Sequence, residues 1–86
     1  MPRLSEFYGI SIYTYFSDHS PPHFHAIYGG DEAEVSIAST RILDGGISQR
    51  AMRMVSQWAQ IHRSELEANW GRARRGEPLL RIRPLN

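Results

Sequence analysis

The sequence predicts an α+β fold, in which an antiparallel three- to four-stranded meander packs on one long C-terminal helix that is followed by a short last strand. Three observations predict it. Short segments of alternating apolar and polar residues fill the first half of the 86-residue chain. Glycine and proline pairs, which favour turns, separate these segments. One stretch with the 3.6-residue apolar period of a helix fills most of the second half.

The first two predicted strands cover residues 9–16 and 23–28. Pro21 and Pro22 lie between them, and because proline fixes φ and lacks an N–H, this connection is a rigid loop. Side chains two apart in a strand share a face. We therefore expect His23 and His25 on one face of the second strand and Phe24 on the other.

A third strand is predicted over residues 32–39, with Ala33, Val35 and Ile37 inward and Glu32, Glu34 and Ser36 outward. Gly29 and Gly30 supply the positive-φ positions of the hairpin that joins it to the second strand. Residues 41–43 are a candidate for a short fourth strand, and a turn is predicted at residues 44–46.

The helix is predicted over residues 49–74, with Ser48 as its N-cap and Gly76 as the glycine that follows its C-terminus. Trp58, Leu66 and Trp70 supply the bulk that closes the core. Residues 79–83 alternate in polarity and predict the last short strand.

Length and composition predict one domain over residues 1–86. The chain has no cysteine, which excludes disulfides and zinc–thiolate sites. It also lacks an apolar run long enough to span a bilayer or to direct secretion. We therefore expect a cytoplasmic protein that has no membrane partner.

The net charge of +1 conceals a division along the chain. Residues 1–49 carry two arginines and six acidic residues, a net charge of −4. Residues 50–86 carry eight arginines and three acidic residues, a net charge of +5. Such segregation can create a basic surface that attracts phosphate groups or an acidic partner. The candidate phosphate-binding residues are Arg72, Arg74, Arg75, Arg81 and Arg83.

Three of the four histidines lie within residues 18–25, and His62 lies on the predicted helix. His23 and His25 project together, about 7 Å apart along the strand. One interpretation makes them the acid and base of a metal-independent ribonuclease, with Asp18 and His19 as further catalytic residues. A second makes His19, His23 and His25 ligands of a divalent transition metal, with Asp18 as an alternative third ligand. A third makes the histidines structural. No organic cofactor is expected.

A longer pattern is carried by the segment Asp18-His19-Ser20-Pro21-Pro22-His23-Phe24-His25-Ala26-Ile27-Tyr28-Gly29 and by Trp58, His62, Glu65 and Trp70. This pattern resembles the DUF4160 family of small bacterial proteins of unknown function. Members are often encoded beside a DUF2442-type protein, an arrangement that resembles a toxin–antitoxin pair. The resemblance implies a small cognate protein as partner and assigns no catalytic residue.

These observations lead to three hypotheses. The first is a toxin-like protein that acts on or binds RNA through the histidine cluster and the arginine-rich half. The second is a histidine-based metal-binding protein. The third is a protein-interaction module without enzymatic activity, which docks a partner or forms a homodimer.

Overall fold

The computed structural model describes residues 3–86, which form an antiparallel five-stranded sheet followed by two helices. The strands lie in chain order across the sheet, so the sheet is a simple meander. The elements are β1 (Arg3–Phe7), β2 (Ile10–Tyr13), β3 (His23–Tyr28), β4 (Asp31–Ser36), β5 (Ile42–Gly45), α1 (Gln49–Ile61) and α2 (Arg63–Arg74).

The β3–β4 hairpin fixes the register that matters for the site. Gly29 and Gly30 form its two-residue loop, and Tyr28 pairs with Asp31. His25 therefore lies opposite Glu34 on β4 and opposite Tyr13 on β2. Directly opposite side chains share one face of a sheet, so these residues face the same way.

The core lies between α1 and the face of the sheet opposite the one that carries His25. Phe24 is fully buried and meets the Trp58 indole edge-to-face, with ring centroids 5.9 Å apart. Phe7 lies 5.3 Å from the same indole. The inward orientation predicted for β4 is confirmed, because Ala33 and Val35 are fully buried. An α+β fold is therefore confirmed.

The number of strands was predicted wrongly. β1 was not expected, and its irregular register with β2, which shifts between Arg3 and Ser5, leaves both Leu4 and Ser5 buried. That bulge destroys the alternation by which a strand is recognised in sequence. The short segment after β4 is a paired strand, β5, so the sheet has five strands and not three or four.

The single long helix was also wrong, because His62 separates α1 from α2. Its backbone has φ −110° and ψ 25°, outside the helical region. The predicted ends are confirmed. The Ser48 side chain accepts a hydrogen bond from the N–H of Ala51, and Gly76 follows α2 with φ of 71°.

No strand forms at residues 79–83, although their alternation predicted one. This tail is held by hydrogen bonds to three separate elements. Asn69 bonds both backbone polar groups of Leu80, the Ile82 N–H donates to the carbonyl of Leu4, and the Trp58 indole donates to the carbonyl of Arg83. One bond to β1 does not make a strand ladder. Among the helices of residues 3–86, none combines the length and apolar character needed to cross a membrane.

Candidate functional site

Two histidines of β3 lie on the sheet face opposite the core and are nevertheless almost completely buried. His23 is 2% exposed and His25 is 5% exposed. The Trp70 ring of α2 lies 5.3 Å from the His23 ring, and the Tyr15 ring lies 4.3 Å from the His25 ring. Aromatic neighbours therefore shield both imidazoles from water, and their polar atoms need partners within the protein.

His25 has a carboxylate at each ring nitrogen. Its Nδ1 lies 2.8 Å from Oε2 of Glu32, and its Nε2 lies 3.1 Å from Oδ2 of Asp18. A carboxylate can only accept hydrogen bonds, so both contacts are satisfied if both nitrogens carry a proton. Alternatively, a metal cation can take the place of the proton on Nε2. Either a proton or a metal ion on Nε2 would therefore complement the Asp18 carboxylate.

His23 is held in one tautomer by the diproline loop. Its Nδ1 donates to the carbonyl of Pro21 over 2.8 Å. In a neutral imidazole the other nitrogen then has a free lone pair. That Nε2 lies 3.6 Å from Oδ1 of Asp18 and 3.7 Å from Oε1 of Glu34.

Asp18 is positioned by a local turn at the start of the loop. The Tyr15 N–H donates to Oδ2 of Asp18 over 3.1 Å, and the Asp18 N–H donates to the carbonyl of Tyr15 over 3.2 Å. Asp18 reaches both histidines from this turn. One ligand atom each from Asp18, His23 and His25 lies within 4.8 Å of the other two, so the three groups can contact one cation together.

Tyr15 forms one wall of this cluster. Burial raises the pKa of its phenol, and the negative charges of Glu32 and Asp18 raise it further. The phenol therefore stays protonated at neutral pH. Tyr13 stacks on Tyr15 with ring centroids 6.3 Å apart.

The remaining two histidines are not part of the three-residue group that Asp18, His23 and His25 form. His19 is exposed, its Nδ1 donates to the carbonyl of Ser20 over 3.1 Å, and its ring lies 6.0 Å from that of His23. His62 lies at the junction of the helices, where its Nδ1 is 2.5 Å from Oε1 of Glu65.

The predicted arginine cluster is divided among several places. Arg75 forms a two-point ion pair with Glu77, which raises the pKa of Arg75 and lowers that of Glu77. The Arg74 guanidinium lies 5.8 Å from the centre of the Trp70 ring. Arg72 lies 3.9 Å from the same Glu77 and shares a cavity of about 130 Å³ with Arg81, whereas Arg83 lines another cavity.

Arg74 is thus linked to the histidine cluster through Trp70, the indole that also contacts His23.

Glu32 and Glu34 were not predicted as site residues. They were expected only to face outward from β4. The signal that identifies them is the length of the hairpin loop, because a two-residue loop at Gly29 and Gly30 fixes the pairing of every residue behind it. Counting back from that loop puts Glu34 opposite His25 and Glu32 opposite Ile27. These are successive pairs on the same face of the sheet.

Comparison with protein families gives one match. A family model described as "Domain of unknown function (DUF4160)" matches residues 9–71, which include every residue of the cluster and most of both helices. A search of curated proteins found no match, and neither did a search of solved structures.

Proposed function

This chain belongs to the DUF4160 family, and we propose that it binds a divalent transition metal through Asp18, His23 and His25. One observation carries the proposal. Both buried imidazoles have their Nδ1 atoms engaged by other acceptors and direct their Nε2 atoms at the same carboxylate, that of Asp18.

The spacing of the three donors suits a metal ion. Transition metals bind nitrogen and oxygen ligands at roughly 2.0–2.2 Å, so neighbouring ligand atoms of one ion lie about 3.0–3.5 Å apart. The Asp18 carboxylate lies 3.1 Å from Nε2 of His25 and 3.6 Å from Nε2 of His23. Small side-chain shifts are enough to bring all three into contact with one ion.

The surroundings of the two imidazoles also support the proposal. A histidine that binds a metal usually donates its other ring N–H to a carboxylate or a backbone carbonyl, which fixes the ring and makes it a better ligand. Glu32 holds His25 in this manner, and the Pro21 carbonyl holds His23.

The donor set indicates both the metal class and the type of site. Two imidazoles favour zinc, iron, cobalt, nickel or copper over magnesium or calcium, which prefer oxygen ligands. Three protein ligands leave at least one coordination position for water or a substrate, as in catalytic zinc sites and in the two-histidine, one-carboxylate sites of iron enzymes. The function is therefore metal binding with an exchangeable position.

The toxin-like action on RNA stays a prediction. One arrangement favours it, since the Arg74 guanidinium lies over Trp70, whose ring contacts His23. Asp18, Glu32 and Glu34 place three carboxylates around the histidines, however, and these repel a phosphodiester unless a cation lies between them. Cleavage of RNA at this site would then depend on metal, in contrast to the metal-independent reaction expected from sequence.

Expression in a bacterial host tests the toxin-like role. If that role is correct, expression should arrest growth. A DUF2442-type partner should relieve the arrest, and Asp18→Asn and His25→Ala should each abolish it. Unimpaired growth and uncut RNA, with and without added metal, would contradict it without touching the metal-binding proposal.

Metal analysis tests the main proposal. Untagged protein is equilibrated with zinc or cobalt, dialysed, and measured by mass spectrometry for metal per chain. We expect close to one ion per chain, and a large loss in Asp18→Asn and in His25→Ala. His62→Ala is the matched control, because this histidine also faces a carboxylate but lies outside the cluster.

His19→Ala separates the two ligand sets. Full uptake in this variant, with loss in Asp18→Asn, supports Asp18 as the third ligand. The reverse result supports the set of His19, His23 and His25 that was expected from sequence. Equal uptake by the wild-type protein and Asp18→Asn, with folding verified by circular dichroism, contradicts the proposal.

A further inference from the structure

A groove follows the outer side of α1, between this helix and the C-terminal tail. Met54, Gln57 and Ile61 form its helical wall, and Leu85 lies on the tail side. It consists of two cavities of about 430 and 460 Å³ that share Gln57, Leu85 and Asn86 among their lining residues. Tyr8 and Tyr28 close one end.

Several exposed apolar side chains lie along the groove beside polar ones. Ile61 is 65% exposed, Tyr8 is 60% exposed and Tyr28 is 39% exposed. Scattered apolar side chains are common on protein surfaces, whereas several along one concave feature indicate a binding surface. The helical wall runs from residue 50 to residue 61, which at about 1.5 Å per residue gives a groove roughly 16 Å long. That length accommodates about three turns of a helix.

The charged side chains that line the groove are basic. Arg50 and Arg83 are both exposed, and each lines one of the two cavities. His62, at the far end, already contacts Glu65. A partner that fills the groove with apolar side chains therefore gains most if it also carries acidic residues beside them.

We propose that this groove binds an amphipathic, acidic segment of another protein, which buries its apolar face against Met54, Ile61 and Leu85. The proposal does not depend on the metal centre. A second copy of this chain is a poorer occupant, because a two-fold contact brings the same surface of both copies together. Such a contact would set Arg50 and Arg83 of one copy against the same arginines of the other, with no acidic side chain among the lining residues to compensate.

Two synthetic peptides test the proposal. Both carry leucine at positions i, i+3, i+4 and i+7; one has glutamate at the flanking positions and the other has lysine. Each is titrated into ¹⁵N-labelled protein while the amide signals are followed by NMR. We expect the glutamate peptide to shift the amides of residues 50–61 and those of Arg83, Leu85 and Asn86, with binding that weakens as salt is added.

Two substitutions of exposed apolar residues give the matched comparison. Ile61→Asp should weaken binding of the glutamate peptide at least tenfold. Leu43→Asp should leave it unchanged, because Leu43 is 45% exposed on β5 and does not line the groove. Arg50→Glu should reduce the preference for glutamate over lysine. The amide spectrum of each variant verifies that it is folded.

Three results would overturn the proposal. In the first, the lysine peptide binds as tightly as the glutamate peptide. In the second, Ile61→Asp and Leu43→Asp have the same effect. In the third, light scattering shows a dimer that Ile61→Asp dissociates, which makes a second copy the occupant.

Discussion

The two faces of β3 are both buried, but for different physical reasons. Phe24 points toward α1 and is surrounded by apolar side chains, which gain free energy simply by leaving water. His25 points to the other face and is buried almost as deeply, with a carboxylate at each ring nitrogen. Burial of a polar ring is favourable only where partners replace the lost water. The first face therefore maintains the fold, and the second gathers carboxylates around two buried imidazoles.

Trp58→Ala tests the apolar face and should have the largest effect. The indole contacts Phe7 and Phe24 and holds the tail through the carbonyl of Arg83. Its loss should lower the free energy of unfolding by about 3–5 kcal/mol. Urea unfolding measures this change. Ile61→Ala on the same helix is the control and should change stability by no more than about 0.5 kcal/mol. A loss below about 1 kcal/mol for Trp58→Ala would contradict the account of the core.

His25→Ala tests the polar face in metal-free protein and should have an intermediate effect. It removes the donor that lies between the Glu32 and Asp18 carboxylates, and leaves Asp18 with the Tyr15 N–H as its remaining donor. We expect a loss of about 1–3 kcal/mol in the same unfolding experiment. An unchanged free energy of unfolding would mean that these carboxylates are adequately hydrated, and that His25 does not stabilise this face.

Glu32→Gln changes a group that would contact the proposed metal only through His25. The amide keeps the size of the side chain and removes its charge, so His25 remains but becomes a weaker ligand. We expect zinc affinity to fall about 10- to 100-fold. Competition with a chelator measures it. Glu6→Gln is a control for loss of charge, because Glu6 pairs with Arg3 and lies outside the cluster. Equal affinities for Glu32→Gln and the wild-type protein would remove Glu32 from the site.

Ser5→Ala should have the smallest effect. It tests a buried polar group that, in contrast to His25, has no partner within residues 3–86. The Ser5 hydroxyl is buried and has no hydrogen-bond partner among the residues described. Its removal should leave stability unchanged or raise it by up to about 1 kcal/mol. A clear loss would reveal a partner, such as a bound water, that satisfies this hydroxyl.

Much of the fold follows from local sequence signals. The alternation of β3, the glycine turn after it, the cap at Ser48 and the glycine at position 76 each depend on a few neighbouring residues, and each is confirmed. The failures concern features set by distant contacts. A bulge hides β1, and His62 interrupts the helix without a proline or glycine. The tail meets its partners one at a time and does not pair as a strand.

The site divides in the same way. His23, His25 and Asp18 were predicted from the short segment that contains them, and the structure brings one ligand atom of each within 4.8 Å of the others. The contributions of Glu32 and Glu34 depend on the hairpin register, and that of Trp70 depends on how α2 packs. His19 shows the opposite case. It is close to the other histidines in sequence, yet its ring nitrogen bonds the carbonyl of its neighbour Ser20 and it lies outside the three-residue group.

X-ray absorption spectroscopy of zinc-loaded protein tests the central claim most directly, because it counts the imidazoles bound to the metal. We expect two imidazoles and additional oxygen ligands at about 2.0–2.2 Å. We also expect a spectrum that His19→Ala leaves unchanged and Asp18→Asn alters. Three bound imidazoles, or a zinc ion coordinated by water alone, would contradict the proposed metal site.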